Sequence, residues 1–178
     1  MLNTALLICI TAMSMNMRNA DVICDNAHII SEVSEEYNLD PSLIIAIGRI
    51  ESAWTPTAKS HANACGIMQV LPKYSKKYGN KGRNLTCEEL KDPETSIRVG
   101  AKIFNYWYRK YSKKNETIAL CGYNAGFRCK GENKNKQGLK YAKAVLKYRK
   151  YFKKKMRIQK RKYKNKMFFN YLTYSIIG

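Results

Sequence analysis

Apolar and polar residues alternate along this chain mostly with a helical period. Apolar residues recur three or four positions apart, the spacing that places side chains on one face of an α-helix. In the segment 26–37, for example, Ile29, Val33 and Tyr37 are four positions apart. No segment shows a sustained period of two, which is the pattern of a half-buried strand. The pattern therefore predicts a mainly helical fold.

Capping residues mark the start of the next helix. Asp40 can cap a helix and Pro41 can occupy its first turn, so a helix is predicted from there to about residue 52. Gly48 lies inside this helix, where glycine is unfavourable. Its presence predicts that another group approaches the backbone closely at this point.

Further capping signals follow in the middle of the chain. Pro72 predicts a short helix that Gly79 ends. Thr86 and Glu89 have the spacing of a capping box, and Asp92 precedes a proline that can open another helix. That helix carries a stripe of apolar positions, whose aromatic members are predicted to belong to the core rather than to contact a ligand. The stripe consists of Ile97, Ala101, Phe104, Tyr108 and Tyr111.

Two more helices are predicted toward the C-terminus. One starts after Asn115 and ends at Gly126. The last is predicted from Gly138 to about Met156, with an apolar stripe on one face. The members of this stripe are Tyr141, Val145, Tyr148 and Phe152.

The charge of the chain is concentrated at its C-terminal end. The 178 residues carry a formal net charge of +20, and residues 133–178 hold 16 Lys and Arg but no acid. A length of this order predicts one domain with short extensions, here a domain over 21–155 and a basic, aromatic tail over 156–178. A cationic block favours nucleic acid, acidic lipid or anionic wall polymers, and charge alone does not choose among them.

Two interpretations of the tail remain open. In one, the tail is a solvated and partly disordered extension. In the other, the basic run attracts anionic lipid or wall polymer while the apolar segment Phe168–Ile177, too short to span a bilayer, inserts at the surface.

An apolar run from Ala5 to Met13 predicts a signal peptide over residues 1–20 and therefore export, although basic residues before the run are missing. Removal of this segment would take Cys9 with it. Five cysteines would remain, enough for at most two disulfides with one thiol left over, in a pairing that the sequence leaves open. They are Cys24, Cys65, Cys87, Cys121 and Cys129. No metal site or cofactor is predicted, since the chain has two histidines and no CxxC pair.

Several short motifs resemble one known family when they are taken in order. They are ESAW at 51–54, Ser60, GIMQ at 66–69, YNAG at 123–126 and YAKAVLKYRKYF at 141–152. Together they are similar to the soluble lytic transglycosylase catalytic domain, over about residues 26–152. The resemblance implies a mainly α, lysozyme-like catalytic domain. It also implies cleavage of peptidoglycan between N-acetylmuramic acid and N-acetylglucosamine.

Glu51 matches the catalytic glutamate of that family. Ile44 and Ile47 precede Glu51 by seven and four positions and share its helix face. Desolvation on such a face raises the pKa of a carboxyl group, as a general acid at neutral pH requires. No second acid is paired with Glu51 by any motif. The resemblance implies that the substrate's own N-acetyl group assists and that its C6 hydroxyl attacks C1, which leaves a 1,6-anhydromuramic end and consumes no water.

The resemblance also assigns substrate-binding positions. Ser60 is expected to contact the acetamido group, although a turn serine is the alternative. Gln69 is expected to present its amide to the sugar, with Met68 as part of the cleft wall. Tyr123 matches the tyrosine that hydrogen-bonds the catalytic carboxylate. Asn124 is also a candidate, with the turn shape as its favoured role.

Other positions depart from the family pattern or have a structural interpretation. Gln137 stands where the family often has glutamate, so it can hydrogen-bond sugar hydroxyls but supplies no charge. Cys121 and Cys129 surround YNAG, where either a disulfide or two small buried residues are expected. Trp54 can line the cleft or pin its loop to the core, and the core role is favoured.

The leading hypothesis is a lytic transglycosylase, and two rivals remain. One is a hydrolytic muramidase on the same fold, in which water completes the reaction. The other is a basic protein that binds nucleic acid or membrane, suggested by Tyr148, Tyr151 and Tyr163 among the cations. Expected partners are peptidoglycan strands, an anionic membrane or wall polymer at the tail, and a secretion apparatus or a phage particle. A monomer is expected in the periplasm or cell envelope, or on a virion.

Overall fold

Helices dominate the computed structural model, which describes residues 2–78, 82–129 and 135–177, with side chains described up to residue 166. The prediction of a mainly helical fold is confirmed. Within the described residues, β-structure is limited to two isolated bridges, which join Lys59 to Cys65 and Cys65 to Val70. The α-helices are α1 (Thr4–Ser14), α2 (Ala20–Asp25), α3 (Ala27–Tyr37), α4 (Pro41–Glu51), α5 (Cys87–Lys91), α6 (Pro93–Tyr106), α7 (Glu116–Ala125) and α8 (Lys136–Ile177).

The predicted capping residues begin the helices as expected. The Asp40 side chain accepts a hydrogen bond from the Ser42 backbone N–H at 3.0 Å, and this bond starts α4. Both bonds of the Thr86 capping box are present at the start of α5. The Asp92 carboxylate accepts from the Thr95 N–H at 2.9 Å at the start of α6. Pro72 opens a short 3-10 helix, Pro72–Tyr74, whereas Gly79 lies outside the described residues.

The core is built around α4. Residues 43–47 of this helix are at most 1% exposed, and α3 and α8 pack against it. Trp54 is fully buried and donates its indole N–H to the Ile45 carbonyl at 3.1 Å, so its predicted core role is confirmed. A Cβ added at Gly48 would lie 2.8 Å from the Trp54 ring, which explains the glycine.

The N-terminal apolar run is folded into this core. It forms α1, in which Ile8 and Ala12 are fully buried, and it packs against α2, α3 and α8. Cys9 forms a disulfide with Cys24. The folded unit thus begins before residue 21. An apolar run of signal-peptide length can equally form a core helix, so the sequence pattern alone does not distinguish the two. Cleavage of this segment remains a prediction.

The disulfides differ in number from the expectation. The sequence predicts at most two bonds and one spare thiol, because Cys9 falls in the predicted signal peptide. In the structure all six cysteines pair, and the two further bonds are Cys65–Cys87 and Cys121–Cys129.

Two helices depart from the predicted pattern near the C-terminal half. A π-helical segment, Trp107–Tyr111, follows α6. Its i→i+5 hydrogen bonds widen the turn, and Tyr111 does not continue the buried stripe that Phe104 ends. The last helix, α8, continues past Met156 without a break, so no change of structure marks the boundary predicted at 155. The side chains of Phe168–Ile177 lie outside the described residues. In the part of the chain that is described, none of the helices has the length and apolar character needed to cross a membrane.

Candidate active site

Glu51 is the last residue of α4, and the chain turns sharply after it. Ala53 and Trp54 both adopt left-handed φ values, 52° and 63°, which return Trp54 onto the helix it has just left. The Ser52 hydroxyl donates to the Ile67 carbonyl at 2.9 Å and so joins this turn to the GIMQ segment. The carboxyl group is therefore fixed at a junction between the core helix and a loop.

Tyr141 holds the Glu51 carboxylate. Its hydroxyl donates to Glu51 Oε1 at 2.6 Å, from the first turns of α8 and 90 positions away in sequence. Burial raises the pKa of Glu51 from its ordinary value of 4.5 to about 7, and the hydrogen bond from Tyr141 opposes that rise. Part of the Glu51 surface stays accessible. The site thus holds a carboxyl group that can exchange a proton near neutral pH.

The prediction for Tyr123 is wrong in its hydrogen-bond partner. Its hydroxyl donates to the Met68 carbonyl at 2.7 Å, and Tyr141 takes the place beside Glu51. Tyr123 is still close enough that the Glu51 charge, after burial, raises the pKa of its phenol. Tyr141 falls on the apolar stripe of the last helix, where a tyrosine is usually a core residue, so its position in the sequence does not identify it as the partner of Glu51.

Met68 is not part of the cleft wall. Its side chain is fully buried and packs against Gly100, where an added Cβ would lie 2.4 Å away. Its backbone is held on both sides, since the Met68 N–H donates to Ser96 Oγ at 3.0 Å and its carbonyl accepts from Tyr123. Met68 therefore positions the loop from inside the core.

Gln69 and Ser60 shape the loop next to Glu51. The Gln69 amide donates to the carbonyls of Gly66 at 3.0 Å and Ala58 at 3.2 Å, and its own backbone has a φ of 47°. The Ser60 hydroxyl accepts from the Ala64 N–H at 3.1 Å, which is the turn role considered for it. The contacts of both side chains with a sugar remain predictions.

An open groove of about 720 Å³ runs beside this loop. Gln69, Tyr123 and Asn124 line it together, which brings three of the predicted positions to one surface. Gln137 is exposed in the first turn of α8, four positions before Tyr141 and on the same helix face. The groove also has an aromatic wall and a basic rim. The wall contains Tyr78, Tyr106, Trp107 and Phe127, and the rim contains Lys73, Lys76, Lys77 and Arg128.

Two disulfides brace the groove. Cys121–Cys129 closes the segment that contains YNAG, so the disulfide considered there is confirmed. Gly138 allows the start of α8 to pack onto this bond, because a Cβ there would lie 2.8 Å from the Cys121 sulfur. Cys65–Cys87 ties the residue before GIMQ to the first residue of α5.

Among the described residues, no second carboxylate contributes to the pKa shift of Glu51. Burial and the Tyr141 hydrogen bond are the two causes that shift its pKa, and neither involves another carboxylate. Glu116 and Asp40 are paired with Arg149 and Lys153, which lie farther along α8 than Tyr141. Among the described residues, no group of three or more His, Cys, Asp or Glu side chains is placed to hold a metal ion.

A family model matches more than half of the chain. It is the Transglycosylase SLT domain, and it matches residues 28–146. The chain is 35% identical over 96 residues to the membrane-bound lytic murein transglycosylase E of Buchnera aphidicola, covering 51% of this chain and 43% of the relative. It is 36% identical over 89 residues to the soluble lytic murein transglycosylase of Escherichia coli K12, covering 48% of this chain and 14% of the relative. The chain thus spans less than half the length of these curated relatives.

Solved structures show the same fold. An inactive mutant of lytic transglycosylase Slt from Pseudomonas aeruginosa superposes with a TM-score of 0.65 at 21% identity, covering 86% of this chain and 30% of that one. The 70 kDa soluble lytic transglycosylase of Escherichia coli gives a TM-score of 0.64 at 22% identity, covering 85% and 30%. The predicted mainly α, lysozyme-like fold is confirmed.

Proposed function

The chain belongs to the Transglycosylase SLT domain family, and on this basis we propose that it is a peptidoglycan lytic transglycosylase in which Glu51 is the catalytic acid and base. The observation that carries the proposal is a partly accessible carboxyl group whose pKa is raised by burial to about 7. Glu51 is not among the described residues that line the aromatic groove, but Tyr123, whose pKa is raised by burial and by the Glu51 charge, lines it. An ordinary glutamate would be almost fully ionised at neutral pH and would be a poor proton donor.

The proposed reaction uses this one carboxyl group twice. Protonated Glu51 donates its proton to the bridging oxygen between N-acetylmuramic acid and N-acetylglucosamine, and the C1–O bond breaks. The substrate's acetamido oxygen stabilises the positive charge that develops at C1. The Glu51 carboxylate then accepts the proton of the C6 hydroxyl while O6 bonds to C1. The proton balance closes, no water is consumed, and the product is a 1,6-anhydro end.

The neighbouring residues support these two proton transfers. The Tyr141 hydroxyl fixes the carboxyl group and stabilises its ionised form between the two steps. Trp107 and Phe127 line the groove and offer aromatic surface for contact with sugar rings. Gln69 and Asn124, which line the groove, are proposed to contact the glycan there, and Ser60 and Gln137 are proposed to contact it beside Glu51.

We place the enzyme in the cell envelope. Disulfides form and persist in oxidising compartments outside the cytosol, and six cysteines are paired here. Peptidoglycan lies in the same compartment. Both the proposed substrate and the paired cysteines support export.

Mass analysis of digested cell wall tests the proposal. Purified sacculi are treated with the wild type, with Glu51→Gln and with Glu35→Gln, which removes an exposed carboxylate of α3 as a matched control. We expect muropeptides lighter by one water than hydrolysis products, a loss of roughly two to four orders of magnitude in rate for Glu51→Gln, and an unchanged rate for Glu35→Gln. Products that contain the added water would identify a muramidase instead. Full activity of Glu51→Gln would contradict the catalytic role.

A further inference from the structure

One face of α8 carries only cations among its ionisable residues over most of the described helix. From Lys136 to Lys164, a Lys or Arg recurs at spacings that alternate strictly between four and three, nine residues in all, and each of the nine is exposed. This spacing keeps them on one side of the helix. At 1.5 Å per residue the row is about 42 Å long. We call it the cationic stripe.

The cationic stripe points away from the body of the protein. The opposite face of α8 is the packing face, where Ala142, Val145, Phe152 and Met156 are buried. Two acids that contact α8 are paired with cations outside the stripe: Arg149 pairs with Glu116, and Lys153 pairs with Asp40. No stripe residue forms an ion pair with a described carboxylate.

Such a row is unfavourable for an isolated helix. Like charges three and four positions apart repel each other and destabilise the helix that carries them. An ordinary surface helix relieves this repulsion with interspersed acids, but residues 133–178 contain none. An external anionic surface would supply the missing countercharge along the whole row.

We propose that the cationic stripe docks the protein onto an anionic lipid bilayer. The stripe lies on the exposed face of one continuous helix, so it can meet a flat surface along its length. An open depression lined by Lys147, Lys150, Lys154 and Arg157 lies within it. Tyr151 and Ile158 stand at the edge of the stripe with 50% and 37% of their surface exposed. An aromatic and an aliphatic side chain beside a basic row suit the boundary between headgroups and acyl chains.

This orientation places Glu51 on the side of α8 that faces away from the bilayer. Tyr141, which bonds Glu51, lies on the packing side of α8, about half a turn around the helix from the centre of the stripe. A bilayer bound at the stripe is therefore separated from Glu51 by the thickness of the helix. The docked protein holds its carboxyl group away from the lipid surface.

Sedimentation of the full-length protein with vesicles tests the proposal. One vesicle set contains equal parts phosphatidylglycerol and phosphatidylcholine, and the other contains phosphatidylcholine alone. The stripe variant combines Lys147→Gln, Lys150→Gln and Lys154→Gln. The matched control combines Lys110→Gln, Lys113→Gln and Lys114→Gln, which removes the same charge from exposed positions outside α8. Circular dichroism verifies that both variants are folded.

We expect wild-type protein to bind the anionic vesicles and not the neutral ones. The stripe variant should lose on the order of 100-fold in affinity, since each of the three cations near a charged membrane surface contributes about fivefold. The control should change by no more than about 3-fold. An equal loss in both variants, or equal binding to neutral vesicles, would overturn the proposal. Vesicle binding that survives in the stripe variant, with loss of binding to soluble polyphosphate, would assign the stripe to a polymer instead.

Discussion

Replacement of Tyr141 by phenylalanine should move the pH dependence of catalysis upward. The hydroxyl of Tyr141 donates to Glu51 Oε1 at 2.6 Å and favours the ionised carboxylate. A hydrogen bond to a charged group is worth about 1.5–3 kcal/mol. Because one pKa unit corresponds to about 1.4 kcal/mol, Tyr141→Phe should raise the pKa of Glu51 by about one to two units. Glu51 must be protonated to act as an acid, so the alkaline limb of the rate profile should move with it.

The assay is kcat/KM for release of soluble muropeptides from sacculi, measured across the neutral and alkaline range. This ratio reports the pKa of groups in the free enzyme. The wild type should lose activity as the pH rises through about 7, and Tyr141→Phe should retain its own maximal activity to higher pH. Tyr123→Phe is the control, because it removes an equivalent hydroxyl that donates to the Met68 carbonyl instead. An alkaline limb that stays in place in Tyr141→Phe, or that shifts equally in both variants, would refute the reasoning.

Three other substitutions test the structure itself. Burial raises the pKa of Glu51 from 4.5 to about 7, so the folded state binds the proton more tightly and the wild type loses about 3 kcal/mol of stability as the pH rises through this window. Glu51→Gln should therefore be more stable than the wild type at about pH 8 but not at about pH 4 in urea unfolding, and equal differences at the two pH values would contradict this. Replacing Cys121 and Cys129 by alanine opens a loop with a sequence separation of 8 and should cost about 2–3 kcal/mol by the same measurement, while an unchanged midpoint would show that the bond contributes nothing. Gly48→Ala places a Cβ 2.8 Å from the Trp54 ring and should lower stability by about 1–3 kcal/mol, and a thermal melt that matches the wild type would disprove this tight contact.

The parts of the fold that depend on local signals were predictable from sequence. Asp40 and Pro41 begin α4 as expected, and the Thr86 capping box begins α5, because caps act within three or four residues. The close approach at Gly48 was also predictable, since an unfavourable glycine inside a helix requires a reason. These features need no knowledge of distant residues.

The details of the site depend on contacts between distant segments and were less predictable. Glu51 was identified from the ESAW motif, but its partner Tyr141 lies 90 positions away on a stripe that looks like core. Tyr123 was expected beside the carboxylate and instead bonds Met68, because the loop backbone presents a carbonyl to it. The apolar run at 5–13 predicts a signal peptide, yet in the structure the apolar side chains of this run pack α1 into the domain. Removal from water stabilises an apolar helix both in a signal peptide and in a protein core, so composition alone does not distinguish the two.

Two disulfide bonds restrain the segments that line the groove, and these bonds form only when the cysteines are oxidised. Cys65–Cys87 and Cys121–Cys129 are the covalent restraints on the segments that carry Gln69 and Tyr123. A newly made chain in a reducing cytosol lacks both restraints, and each missing bond costs the folded state stability. Under the proposed export, both bonds form only after the chain has left the cytosol, so the groove that we propose to bind peptidoglycan is fully braced only outside the compartment of synthesis.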